Sequence, residues 1–164
     1  MQSFRVIKPT AALVPYVRHY WVLSDDALAP VSERTLPVGC VQMVFHRGRQ
    51  LFSLTEGRLQ PSSFISGQAF GYSDVESTGM LEMIVVVFQP FAAKAFLHMP
   101  VSEFRGMNVN TEETGDPLLV DLGRRIADMP DRVACIRLIE EFLLSRLYAF
   151  PEYNLKRVST VLEA

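Results

Sequence analysis

Cysteine is almost absent from this chain: Cys40 and Cys135 are the only two, and they stand far apart with no paired spacing around either. That excludes a disulfide framework and a zinc site of the Cys-x-x-Cys kind, and both thiols read as reduced core residues. Positive charge is scarce as well. Sixteen Lys and Arg against eighteen Asp and Glu give a net charge of -2, which leaves no basic face to neutralise a phosphate backbone. Arg47 and Arg49 flank Gly48 at what reads as a hairpin tip, and Arg124-Arg125 fall on a helix; both pairs read as solvated surface. No apolar run nears the roughly 20 residues of a membrane helix, and the start MQSFRVIKPT lacks the basic-then-apolar profile of a secretory signal. No membrane association is expected, and the cytoplasm is the expected compartment.

Catalytic signatures are missing too. There is no Gly-rich phosphate loop, no G-x-S-x-G elbow and no H-E-x-x-H. The three histidines, His19, His46 and His98, are scattered, and none has a second histidine at i+2, the spacing by which one strand of a small barrel supplies two metal ligands. The expectation is a protein that is not an enzyme, with no catalytic residue, no metal and no cofactor. The rival reading, a small metal-dependent barrel enzyme, requires His19, His46 and a carboxylate to converge on one ion. A second rival is a stand-alone protein-interaction domain.

What the sequence does have is short apolar segments. Of its 164 residues, 49% are hydrophobic, enough for one domain with a real core. VRHYWVL (17–23), CVQMVFH (40–46), QLFSLT (50–55), SFISG (63–67) and MLEMIVVVF (80–88) are rich in β-branched and aromatic residues and are separated by turn residues. RGRQ (47–50) and the stretch around Gly79 read as hairpins. Many short strands without intervening helices predict an antiparallel sandwich or barrel. In MIVVVF the alternation is lost, so both faces of that strand should be covered. FAAKAFLH (91–98), with Phe91, Ala95 and Phe96 at helical spacing, supplies one covering element. After Asp116-Pro117, an N-cap and a first-turn proline, Leu118, Leu122 and Ile126 line a helix. A second helix runs from Asp131 to about Phe150.

Two groups of residues stand out as candidate sites. His19 and Trp21 share a strand face with Val17 and Leu23, and Gln42, Val44 and His46 share a face of another strand; with Met83 as adaptable lining, this is the stock of an apolar pocket with a few polar handles. A buried histidine or glutamine is equally an ordinary core group. In the second helix, Ile136, Ile139, Leu143 and Leu147 follow a three-four spacing, while Leu138, Phe142 and Leu144 widen the stripe beyond what docking on one sheet needs. A helix enclosed in its own domain accounts for this; so does a helix with one face on its domain and the other on a second copy.

The order VRHYWVL, ERTLPVGCVQMVF, SSFISGQ, IVVVFQPFAAKAFLHMPVSEF and EEFLLSRL resembles the amino-terminal sensor domain of AraC-family transcription regulators, over about residues 10–162. Val38 and Phe91-Ala92 depart from that family's pattern. The resemblance implies an α+β fold: a mainly antiparallel, cupin-like β-barrel or sandwich over 1–115, then a helical dimerisation segment over 116–150. It further implies a small-molecule effector at His19, Trp21, Gln42, His46 and Met83, and a homodimer through the 131–150 helix at Ile136, Ile139, Leu143 and Leu147. DNA binding would belong to a further helix-turn-helix module, with residues 151–164 as linker and first helix of that module, their apolar positions frayed or docked on a neighbour in its absence.

Overall fold

The computed structural model describes residues 2–25, 32–35, 41–54, 56–67, 73–90, 92–97 and 108–149. Among the described residues ten strands lie in two antiparallel sheets. The larger sheet contains β1 (Gln2–Ile7), β2 (Val17–Asp25), β4 (Gln42–His46), β7 (Ser63–Ser66), β9 (Leu81–Phe88) and β10 (Asn108–Asn110), in the order β1-β2-β9-β4-β7-β10. The smaller holds β3 (Ser32–Thr35), β5 (Phe52–Ser53), β6 (Arg58–Leu59) and β8 (Ser73–Glu76), in the order β3-β8-β5-β6. Two helices follow, α1 (Pro117–Asp128) and α2 (Arg132–Ala149).

The central strand β9 explains the layering. It is hydrogen-bonded to β2 on one side and β4 on the other, and its side chains alternate between two buried environments. Ile84, Val86 and Phe88 point into the main core together with Tyr20, Val22, Met43, Phe45 and Ile65, under the two helices. Met83, Val85 and Val87 point the other way, into a smaller cluster with Val44 and Phe64. Leu51 and Gln60 bracket the β5–β6 hairpin: Leu51 packs on the smaller cluster and Gln60 hydrogen-bonds to His46. The smaller sheet therefore lies on this second face. The result is an α+β fold, a mainly antiparallel sandwich with C-terminal helices on the outer face of its larger sheet. The uniform hydrophobicity of β9 reflects coverage on both sides.

The helices belong to the same core as the sheet. The Asp116 carboxylate caps α1, accepting from Leu119 N at 3.4 Å, and Pro117 opens the first turn. The buried stripe of α1 is Leu119, Leu122 and Ile126, whereas Leu118 is exposed. The expected stripe is thus one residue out of phase at its first position: 119, 122 and 126 fall on one face at 3.6 residues per turn, and Leu118 lies at the edge of that face, toward solvent. In α2, Ile139, Leu143 and Leu147 are fully buried and Ile136 nearly so, all in the main core. These four were expected at a dimer interface; they are inside the subunit, because α2 lies across a sheet wide enough to enclose its broad stripe. Residues Val133, Arg137, Glu141 and Tyr148 face outward instead.

Three further expectations change. RGRQ is not a hairpin tip, since β4 and β5 are in different sheets; the N–H groups of Arg47 and Gly48 donate to Glu82 O and that of Arg49 to Met80 O, carrying the chain along β9. Gly48 is needed there, because a Cβ would come within 2.6 Å of Met80 O. The stretch around Gly79 likewise crosses between sheets, from β8 to β9. Within 92–97 the backbone forms one 3-10 turn, Ala93–Ala95, rather than a helix, as Phe96 turns inward to stack on Phe88 at 5.5 Å. Cys135 is a buried free thiol. Cys40, Phe91, His98 and the segment 151–164 lie outside the described residues. Among the described residues no helix is long and apolar enough to cross a membrane.

Candidate functional site

Alternation splits the His-Tyr-Trp motif of β2 between the two layers. Tyr20 points to the helices, where its hydroxyl donates to Glu140 Oε2 at 3.1 Å, and the same oxygen accepts from Thr10 N at 2.9 Å. Burial, reinforced by the Glu140 charge and hydrogen bond, pushes the Tyr20 phenol far above its ordinary range. His19 and Trp21 point to the inner face between the sheets, their rings stacked at 5.2 Å and 29°. Val17 does not join them, contrary to expectation. A bulge between Val17 and His19 shifts the register, so that Val17 is buried in the main core.

The registers bring all five expected ligand residues onto that one inner face. His19 and Gln42 each sit opposite Val87, Gln42 opposite Ser66, and Ser66 opposite Asn108, making one row across the sheet. The next row reads Val6, Trp21, Val85, Val44, Phe64 and Asn110. A third holds Phe4, Leu23, Met83 and His46. No residue of these three rows carries a formal charge other than through histidine. The five do not meet at a point: His19 and Gln42 flank one end, Trp21 stands a row in, and His46 pairs with Met83 at the other end.

Burial is graded along the face. Val44, Phe64, Val85 and Val87 are sealed, as are Met83 and His46, while His19, Trp21, Gln42, Ser66 and Asn108 are half-buried. His46 Nε2 lies 2.9 Å from Gln60 Oε1. Because a carboxamide oxygen only accepts, Nε2 carries the proton and Nδ1 presents its lone pair; Nδ1 is buried without a hydrogen-bond partner. Burial lowers the pKa of His46, opposed in part by the Gln60 bond. His19 Nε2 is also buried without a partner, and burial, then the Arg18 charge, lowers its pKa. Both imidazoles are therefore neutral at neutral pH.

The arrangement in which His19, His46 and a carboxylate share one ion is not the one found. His19 is level with Val87 and His46 with Met83, four residues along β9, or about 13 Å at the strand rise, and two strands apart. Among the described residues no group of three or more His, Cys, Asp or Glu side chains is placed to hold a metal ion. Sequence reasoning missed Asn108, Ser66 and Gln60. Ser66 stands near the end of the expected strand SFISG without a second polar residue beside it on that face, and three-residue β10 has too little alternation to announce Asn108; only the Asn-Val-Asn period hints at it.

On the outer face, two polar clusters fix the helices. Arg47 reaches Glu82 and the carbonyl of Met129 after α1, and Arg132 at the start of α2 donates to the same Glu82 carboxylate at 3.0 Å. Arg146 binds both oxygens of Asp116 at 2.6 and 2.7 Å, its guanidinium 4.9 Å from the Phe142 ring.

A family model described as a domain of unknown function, DUF6597, matches residues 5–110. No curated protein matches the chain. Among solved structures, the crystal structure of cobalt(II) HppE in complex with Tris buffer aligns with a TM-score of 0.40 at 10% identity, over 53% of this chain and 53% of that one. The chain thus spans about half the length of the solved protein it matches.

Proposed function

The chain belongs to the family described as a domain of unknown function, DUF6597, and on that premise we propose that it is the effector-sensing and dimerisation domain of an AraC-type transcription regulator, without catalytic activity of its own. One observation carries the reading: a single sheet has an uncharged, half-buried inner face on one side and the C-terminal helices on the other. A molecule that settles on the inner face more tightly in one arrangement of the sheet than another shifts whatever rests on the outer face. Tyr20 and Trp21 are adjacent on β2, so a displacement at the Trp21 ring is one peptide away from the Tyr20–Glu140 bond to α2. DNA contact would fall to a separate helix-turn-helix module, since the net charge of -2 supplies no phosphate-binding face.

The partner on the helical side is a second copy, meeting the outward stripe of α2. In an antiparallel pairing centred near Ile139, exposed Arg137 opposes Glu141 of the other copy and Glu141 its Arg137, a self-complementary charge pattern of the kind a two-fold interface requires. Sedimentation equilibrium tests this: Arg137→Glu should weaken self-association about tenfold, with Arg137→Glu/Glu141→Arg restoring it. A wild-type chain that stays monomeric at every concentration overturns the dimer. For the sensing face, a fragment screen read by emission of Trp21, the one tryptophan, should yield compounds that change its spectrum and raise the melting temperature. If none does, the sensing role fails.

A further inference from the structure

The row His19, Gln42, Ser66 and Asn108 is made of uncharged hydrogen-bonding groups whose capacity is largely unspent. His19 Nε2 is buried without a partner, Ser66 Oγ has only a long 3.5 Å bond to the neighbouring Gly67 carbonyl, and neither the Gln42 nor the Asn108 carboxamide is engaged by another described residue. Each carboxamide offers a donor pair and an acceptor side by side, the hydroxyl offers both, and a neutral imidazole offers one of each. Polar groups on a half-closed face stay unpaired only where water or a ligand completes them.

The neighbouring groups narrow the choice. One row in from His19, the Trp21 indole packs on the imidazole at 5.2 Å and on the Phe4 ring at 6.0 Å, and stands half-buried at the boundary between the polar row and the sealed apolar row of Val85, Val44 and Phe64. A ligand there has one edge on hydrogen-bonding groups and one face or end on apolar side chains. No lysine, arginine, aspartate or glutamate occurs in either row, so this floor offers a charged ligand no ion-pair partner in exchange for its hydration.

We propose that this row is the hydrogen-bonding floor of a site for an uncharged planar molecule that carries a donor and an acceptor on one edge, as a primary carboxamide or lactam on an aromatic ring does, with its ring against Trp21. This rests on the sensing role and adds the chemical class. Gln42 is the central contact: it lies between His19 and Ser66 in the row and can meet a donor-acceptor edge with two parallel hydrogen bonds, as asparagine and glutamine do with adenine. Val87, between His19 and Gln42, supplies the apolar floor beneath the ring.

Three near-isosteric probes separate the possibilities: benzamide, acetophenone, which keeps the acceptor and loses the donor, and benzoate, which carries charge. Titrated against the wild-type chain with Trp21 emission as readout, benzamide should saturate, and acetophenone and benzoate should each bind at least about tenfold more weakly. In Gln42→Leu the preference for benzamide over acetophenone should collapse, while Ser66→Ala, a smaller change at a half-buried hydroxyl, should reduce it by a few-fold; melting curves show that both variants are folded. Equal binding of benzamide and acetophenone overturns the donor-acceptor edge, and benzoate binding as well as benzamide overturns the exclusion of charge. Silence of Trp21 towards benzamide, when another compound from the screen does move its emission, overturns this assignment and leaves the sensing role standing. Silence towards every compound overturns both.

Discussion

Arg146 of α2 holds both carboxylate oxygens of Asp116, at 2.6 and 2.7 Å, while one of those oxygens also caps α1. A single carboxylate thus starts one helix and fastens the other. Both side chains are almost wholly buried, so removing either takes a close counter-charge away from a group held out of water. Asp116→Ala is expected to cost about 3–5 kcal/mol from the broken pair, with loss of the cap adding about 1 kcal/mol. Asp116→Asn, which keeps the cap and loses the charge, should fall between. Urea denaturation of the two variants checks the order.

The Tyr20 phenol gives the fold an alkaline limit. Its folded-state pKa is raised, chiefly by burial and then by Glu140. An unfolded tyrosine ionises near pH 10, whereas the folded one stays protonated. The stabilisation is therefore fully present below about pH 10 and falls as pH rises above it. Tyr20→Phe should lower stability at neutral pH by about 1.5–3 kcal/mol, for the lost hydrogen bond to a carboxylate, and should flatten the decline above pH 10. Melting temperatures between neutrality and the alkaline limit read this directly; an unchanged alkaline slope in the variant would assign the effect elsewhere.

Gly123 sits mid-helix in α1, where alanine would gain helix propensity of about 1 kcal/mol. An added Cβ would nevertheless come within 2.5 Å of Ser63 Oγ, which is held 2.6 Å from Thr111 Oγ1 in a buried pair. Gly123→Ala should destabilise by about 1–3 kcal/mol despite the propensity, as overpacking does. Gly123→Ala/Ser63→Ala should recover part of that loss. A neutral or stabilising single substitution would mean that α1 lifts from β7 without cost.

The strands and helices that were legible are those with strong patterns. β2, β4, β7 and β9 have apolar β-branched runs, and α1 and α2 have a capping residue, proline punctuation and a continuous stripe. β1, β3, β6 and β8 carry no such signal: Phe4 and Val6 of β1 are more than half exposed, and strands of two to four residues have little period to read; β5 lies within the expected segment QLFSLT (50–55) but spans only Phe52–Ser53. The five inner-face residues were legible because strand alternation fixes which side chains share a face. Their separation into two ends was not, because it depends on how β2 and β4 slide against β9. The dimer stripe failed for a related reason. Hydrophobicity in α2 reported how much of the helix is buried, and carried no mark of whether its own sheet or a second copy does the burying.

β9 also bears on how the protein must be handled. Met83-Ile84-Val85-Val86-Val87-Phe88 is six uncharged residues of high β-propensity without proline, the composition of a segment that stacks on copies of itself when uncovered. Both of its flanking strands, β2 and β4, lie well before it in the chain, and one face is closed only when α1 and α2 pack against it. A version cut before α2 would leave Ile84, Val86 and Phe88 less covered and is expected to collect in the insoluble fraction, and a nascent chain passes through the same exposed state until α2 docks.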